Sequence, residues 1–184
     1  MTLKGKKVIV GISGGIAAYK SCFLIRLLVK EGAEVRVVTS PNALQFVTRL
    51  TLETLSNNRV YSDVFDETND FTTQHVSLSD WADLYILAPA TANIIAKLAG
   101  GIADDALSSS LIAFDKSVYI APAMNDRMWN HFTVKRNLKT LKENGYNIIL
   151  PAKGDLACGR EGEGRMEEPE NILAALKGGV KKKH

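Results

Sequence analysis

The sequence predicts one α/β domain, a doubly wound parallel sheet of about five or six strands with helices on both faces. Three observations carry this. Short β-branched runs recur along the chain and alternate with segments of helical periodicity. The central runs, Leu84 to Ala88 and Val118 to Ala121, are apolar throughout rather than alternating, as expected of parallel strands covered on both faces. The 184 residues are 46% hydrophobic and 23% charged, proportions of a compact domain and not of a disordered chain.

Val8-Ile9-Val10 is a strand ended by Gly11, and after Gly14-Gly15 a helical pattern places Ile16, Tyr19, Phe23 and Leu27 at three- and four-residue spacing. Gly32 stands where a left-handed cap ends that helix, and Glu34 to Val38 supplies the second strand. Ser40-Pro41 opens the next helix, with a hydroxyl to cap free N–H groups and a proline suited to the first helical position. Two strands and a crossover helix make a right-handed βαβ unit. Further helices are expected near Asn93 to Leu98, Asp105 to Phe114 and Thr133 to Asn144, with Gly145 as a cap before the strand Asn147 to Leu150. The last helix begins at Pro169 and buries Ile172, Leu173 and Leu176. The domain is expected over residues 1–178, with a basic tail at 179–184. The architecture is Rossmann-like, a class whose ligands sit at the C-terminal ends of the strands.

Net charge is +3, and Lys181, Lys182 and Lys183 account for as much, so the body is near neutral and no nucleic-acid partner is expected. Cys22 and Cys158 stand far apart, which argues against a disulfide framework or a structural metal; Cys22, in a helix rich in Leu, Ile and Phe, reads as packing. The N-terminal residues read straight into a strand without a signal-peptide pattern. The most apolar region, Tyr85 to Ala103, is broken by Pro89, Asn93 and Lys97, so no membrane span is expected and a cytoplasmic setting fits.

Two constellations carry chemistry. In Gly11-Ile12-Ser13-Gly14-Gly15-Ile16, the glycines let the backbone turn sharply and present amides at a helix N-terminus, where an anion such as phosphate is favoured. The spacing is neither the dinucleotide G-x-G-x-x-G nor the P-loop pattern, and the second strand ends in Thr39-Ser40 rather than in a ribose-binding acid. A turn needed only for packing helix on strand remains the alternative. The second constellation repeats: Ala88-Pro89-Ala90-Thr91-Ala92-Asn93 and Ala121-Pro122-Ala123-Met124-Asn125 each put small residues at a strand end with an asparagine close behind. Small side chains admit a flat ring and amides give directional contacts, whereas the plain reading is strand termination and helix capping.

These segments, with His75 to Asp105, Ala121 to Trp129 and Leu156 to Met166, resemble the flavin-containing cysteine decarboxylase family. PAMNDRMW fits that family's Pro-x-Met-Asn-x-x-Met-Trp signature, and its Pro-Ala-Ser-Ala-Asn stretch stands here as Pro-Ala-Thr-Ala-Asn. The resemblance implies FMN-dependent decarboxylation of 4'-phosphopantothenoylcysteine to 4'-phosphopantetheine in coenzyme A synthesis. The thiol-bearing carbon is oxidised to a thioaldehyde, CO2 leaves, and the enethiolate is reduced again. The alternatives are a peptidyl-cysteine decarboxylase of lantibiotic maturation and a non-catalytic flavoprotein regulatory subunit. The family also implies a homo-oligomer, trimeric or dodecameric, with flavin at the subunit interface.

By the same resemblance His75 is the catalytic histidine, accepting the thiol proton or steadying the carboxylate. Asn125 aligns the substrate, and Cys158, in a glycine-rich loop suited to a flap, returns a proton to the enethiolate. Flavin contacts fall on Ser13, Gly14, Gly15, Ile16, Thr39, Ser40, Thr91, Ala92, Asn93 and Ala123, and substrate contacts on Asn125, Met128, Ala157 and Arg160. Arg160, Arg165 and Lys153 are cations suited to the substrate's phosphate. Trp81 and the pair Asp104-Asp105 receive no chemistry; such carboxylates at a helix start serve its dipole.

Overall fold

The computed structural model describes residues 2–63, 74–155 and 161–178, the side chains of Gln74, His75, Val76, Asp155 and Glu161 excepted. Its main sheet has six parallel strands: β1 (Lys7–Ile12), β2 (Glu34–Thr39), β3 (Val60–Tyr61), β4 (Leu84–Ala90), β5 (Ser117–Pro122) and β6 (Asn147–Ile148). They are ordered β3-β2-β1-β4-β5-β6. The chain winds outward from β1 to β3, returns to β4 beside β1, and winds outward again. The β1/β4 junction is therefore the topological switch point, where the following loops diverge and leave a crevice.

Helices α1 (Ala18–Lys30), α2 (Arg49–Ser56) and α8 (Pro169–Gly178) cover one face, and α3 (Gln74–Trp81), α4 (Ala92–Gly100), α5 (Ala106–Ile112) and α7 (Phe132–Glu143) the other. Strand alternation feeds both layers. Val8, Val10 and Ile12 join the α1/α8 layer with Leu24, Leu28 and Ile172, while Ile9, Tyr85 and Leu87 join the other with Ile95, Leu107 and Leu138. Fully burying each such side chain stabilises the fold by about 1.5–3 kcal/mol. Tyr85 is wholly buried, its hydroxyl 2.9 Å from Ser110 Oγ, and burial pushes its ionisation above the ordinary range. Gly11 makes room for it, since a Cβ there would lie 2.7 Å from the Tyr85 ring.

The expected elements form, with instructive differences. Gly32 and Gly145 end α1 and α7 at φ +81° and +89°. Helix α1 forms, but its buried face is Ala18, Ser21, Leu24, Ile25 and Leu28, while Ile16 (61%), Tyr19 (49%) and Phe23 (60%) are exposed. Both stripes have helical period; periodicity identifies the helix, and only the partner surface selects the face. Pro41–Gln45 is a 3-10 turn whose Ser40 makes no side-chain cap, and Thr48 instead caps α2. Cys22 is half-buried against the α1/α8 layer, and desolvation pushes its thiol pKa up. An unexpected element is the antiparallel pair β7 (Ala152–Asp155) and β8 (Glu161–Arg165). Its glycine-rich composition hid the ladder, because such strands lack the apolar alternation by which strands are read.

Candidate active site

One cavity of about 1250 Å³ opens at the switch point. It is walled by the turn after β1 (Ser13 to Lys20), Ser40 to Asn42, the start of α4 (Thr91 to Ile94), the loop after β5 (Ala123 to Asn125) and the end of β8 (Gly164 to Met166). Each wall follows from local sequence. Ala17, at the N-terminus of α1, has no side chain that could cap; Ala18 N and Lys20 N donate to Gly15 O and Ala17 O, and the helix dipole favours an anion beside the amides that precede them. Gly14 is required for packing: a Cβ there would lie 2.5 Å from Asn42 Cβ and 2.9 Å from its backbone carbon. Among the described residues, a Cβ at Gly15 would meet only Thr91 Cγ2, at 3.4 Å, an ordinary contact. The bare backbone of Gly15 thus leaves room on the cavity wall.

The Thr91 hydroxyl caps α4 by accepting from Ile94 N at 3.5 Å. Asn125 caps the short helix α6 (Asp126–Trp129), its Oδ1 accepting from Arg127 N at 2.9 Å. The cap fixes the orientation of this amide at the cavity wall. The hairpin is fastened to the same loop, Met124 N donating to Gly164 O at 2.9 Å.

Of the residues singled out in the sequence, Ser13, Gly14, Gly15, Ile16, Ser40, Thr91, Ala92, Asn93, Ala123, Asn125 and Met128 all line this cavity. Thr39 does not; it is fully buried behind the wall, and its Oγ1 has no hydrogen-bond partner among the described residues. His75 lies in the first turn of α3, and its side chain is outside the described residues, as are Ala157, Cys158 and Arg160. Arg165 lines the cavity, while Lys153 is exposed on β7.

Two cavity residues, Lys20 and Lys97, escaped the sequence reading as members of the site. Lys20 is 5% exposed and donates to Met166 O (3.0 Å) and Glu168 Oε1 (2.9 Å). The signal was present, since Lys20 stands four residues before Leu24 on the buried stripe of α1, an odd place for an unpaired cation. Arg165 reaches the same Glu168 oxygen at 2.7 Å, and the Lys20 bond with these two cations holds the Glu168 carboxyl below its usual range. Lys97 pairs with Asp104 (2.6 Å) and Asp105 (2.8 Å). Burial pulls its pKa down, but the bonds to both carboxylates outweigh that and raise it. Asp105 also forms a capping box with Ser108 at the start of α5, the helix-start role expected for this pair. Among the described residues there is no His/Cys/Asp/Glu cluster able to hold a metal, and no helix long and apolar enough to cross a membrane.

Residues 1–181 match the family model described as Flavoprotein. The coenzyme A biosynthesis bifunctional protein CoaBC of Bacillus subtilis is 51% identical over 171 residues, covering 93% of this chain and 42% of that protein. The CoaBC protein of Haemophilus influenzae is 48% identical over 176 residues, covering 96% and 44%. The chain thus spans less than half the length of these relatives. Among solved structures, a cysteine-to-serine mutant of PPC decarboxylase complexed with pantothenoylaminoethenethiol superposes with a TM-score of 0.86 at 34% identity, covering 95% of this chain and 97% of that one. The FMN-dependent cysteine decarboxylase SpaF superposes with a TM-score of 0.80 at 30% identity, covering 96% and 98%.

Proposed function

Because the chain belongs to the flavoprotein family, we propose that it binds FMN at the switch-point cavity and decarboxylates 4'-phosphopantothenoylcysteine to 4'-phosphopantetheine in coenzyme A synthesis. The names of its relatives support the substrate. The observation that carries the reading is the convergence on one cavity of the glycine turn, the Thr91–Asn93 helix start and the Ala123–Asn125 loop. The residues fit such a cofactor. The uncapped start of α1 suits its phosphate, and Gly15, Ala92 and Ala123 present little side chain to a flat ring. A volume of about 1250 Å³ has room for cofactor and substrate together.

When bound, FMN supplies a two-electron acceptor and donor for the carbon bearing the substrate thiol. The protein's own groups orient and protonate. Asn125 holds the substrate's carboxylate or amide through its donor end, and an aspartate there would repel the carboxylate. His75 handles a proton at the thiol or steadies the carboxylate, and Cys158 returns a proton after CO2 has left.

The reading extends to a cytoplasmic homo-oligomer with the flavin between subunits. Ile16 and Tyr19 line the cavity while remaining largely exposed, and Phe23 continues their stripe along α1. A second copy covering this stripe would both bury it and give the cavity its missing wall.

The test is CO2 release from 4'-phosphopantothenoylcysteine by the FMN-loaded chain, beside a peptide ending in cysteine. Release from the phosphorylated substrate with FMN-dependent rate is expected. Protein that takes up no FMN, or flavin-loaded protein that releases no CO2 from it, would overturn the reading.

A further inference from the structure

Ser13 and Thr91 stand on opposite sides of the switch point, just beyond β1 and β4. Ser13 is only 2% exposed. Its hydroxyl donates to Pro89 O at 2.8 Å and accepts from Thr91 N at 3.0 Å, while its backbone N–H also points to Pro89 O, at 3.3 Å. A serine hydroxyl has one proton, and a carbonyl can only accept. The proton of Oγ is therefore committed to Pro89, and the remaining lone pair has nothing to offer a phosphate oxygen, which is itself an acceptor. Ser21, one turn into α1, extends the arrangement: its hydroxyl donates to Ala88 O at 2.6 Å. Two buried hydroxyls of the first βα unit thus hold the backbone at residues 88, 89 and 91.

We propose that Ser13 is a positioning residue that latches the two walls of the cavity together and gives no hydrogen bond to the flavin phosphate. The inference rests on the flavin reading for its ligand, but its geometry does not. Thr91 is the cap of α4, and its Cγ2 would lie 3.4 Å from a Cβ placed on Gly15, so a single methyl group would bring the two walls into contact. Through the Thr91 amide, Ser13 fixes how far the start of α4 stands from the glycine turn, and so the width offered to a bound ring. Ser13 acts on every flavin alike, whereas a phosphate ligand would act only on the phosphorylated one.

The experiment measures FMN and riboflavin affinity of the full chain before and after Ser13→Ala, with hydrogen exchange at the Thr91 amide in the flavin-free protein. Both affinities are expected to weaken together, on the order of tenfold, leaving their ratio unchanged. Exchange at Thr91 should accelerate, and Ser13→Thr, which keeps the hydroxyl, should restore protection. Loss of FMN affinity with riboflavin untouched would overturn the latch, as would unchanged Thr91 exchange. If Ser13→Ala does not fold, Ser13→Cys carries the same comparison with a smaller shift in the same direction. Wild-type protein that binds neither flavin would sink the flavin reading alone, and the exchange measurement would then decide the latch.

Discussion

Substituting Gly164 by alanine should detach the β7–β8 hairpin from the active-site loop. The backbone at Gly164 has φ +134°, and a Cβ there would lie 2.3 Å from Met124 O and 3.4 Å from Met124 C. A relaxed C···O contact is about 3.3 Å, so the two segments must part by roughly 1 Å. That opens the 2.9 Å bond from Met124 N to Gly164 O. Overpacking at about 1–3 kcal/mol, the lost bond at about 0.5–1.5 and a strained φ together come to about 2–4 kcal/mol, after partial relief by movement. A two-stranded ribbon has little stability of its own, so the loss should appear as local detachment, a roughly 30- to 900-fold smaller docked population, more than as global unfolding. The assay is exchange at the Met124 amide together with kcat/KM for CO2 release. Gly101→Ala is the control, since Gly101 has φ +70° with nothing within 4 Å of its Cβ position, which isolates the conformational cost from the collision. If Gly164→Ala leaves Met124 exchange and kcat/KM within about twofold of the parent, the hairpin is not fastened through this contact.

The two glycines of the first turn should separate in their effects. Gly14→Ala drives a Cβ into Asn42 and should lower stability by about 1–3 kcal/mol, whereas Gly15→Ala meets only Thr91 and should fold normally yet bind FMN more weakly. Thermal melts beside flavin titrations check this, and equal melting losses would refute it. Glu168 sets an acid limb. Its folded pKa lies below the unfolded one because of the bond from Lys20 and then the nearby charges, so its stabilisation is full above the ordinary Glu value of about 4.3 and is lost as pH falls through the folded value. Glu168→Gln should flatten that part of a stability-versus-pH curve, at a cost of about 1 kcal/mol at neutral pH, kept small because the carboxylate is partly solvated. Lys116 caps the end of α3 by donating to Ala82 O (2.7 Å), Ser79 O (3.0 Å) and Asp80 O (3.3 Å). Lys116→Met should lower stability by about 1–2 kcal/mol in urea unfolding, with Lys116→Arg recovering part of it.

The sheet, its crossover helices and the cavity-lining motifs were legible because each rests on local chemistry. β-Branched runs make strands, glycines permit turns such as those at Gly32 and Gly145, and small residues at strand ends mark a place where something flat can approach. The hairpin was not legible, because Lys153-Gly154 and Glu161-Gly162-Glu163-Gly164 carry no apolar residues whose alternation would mark a strand. Lys20 was only half legible, since its partners at Met166 and Glu168 are distant in sequence.

By itself the sequence determined which segments become the main strands and helices and where glycines turn the backbone at helix ends, as at Gly32 and Gly145, since propensity, periodicity and conformational freedom act within a few residues. Only the tertiary structure decided that α1 turns Leu24 rather than Phe23 inward, that Ser13 spends its proton on Pro89, and that Gly164 presses on Met124. Each of these depends on which surface arrives opposite, and that is settled by strand order and packing across many residues, which no local pattern encodes.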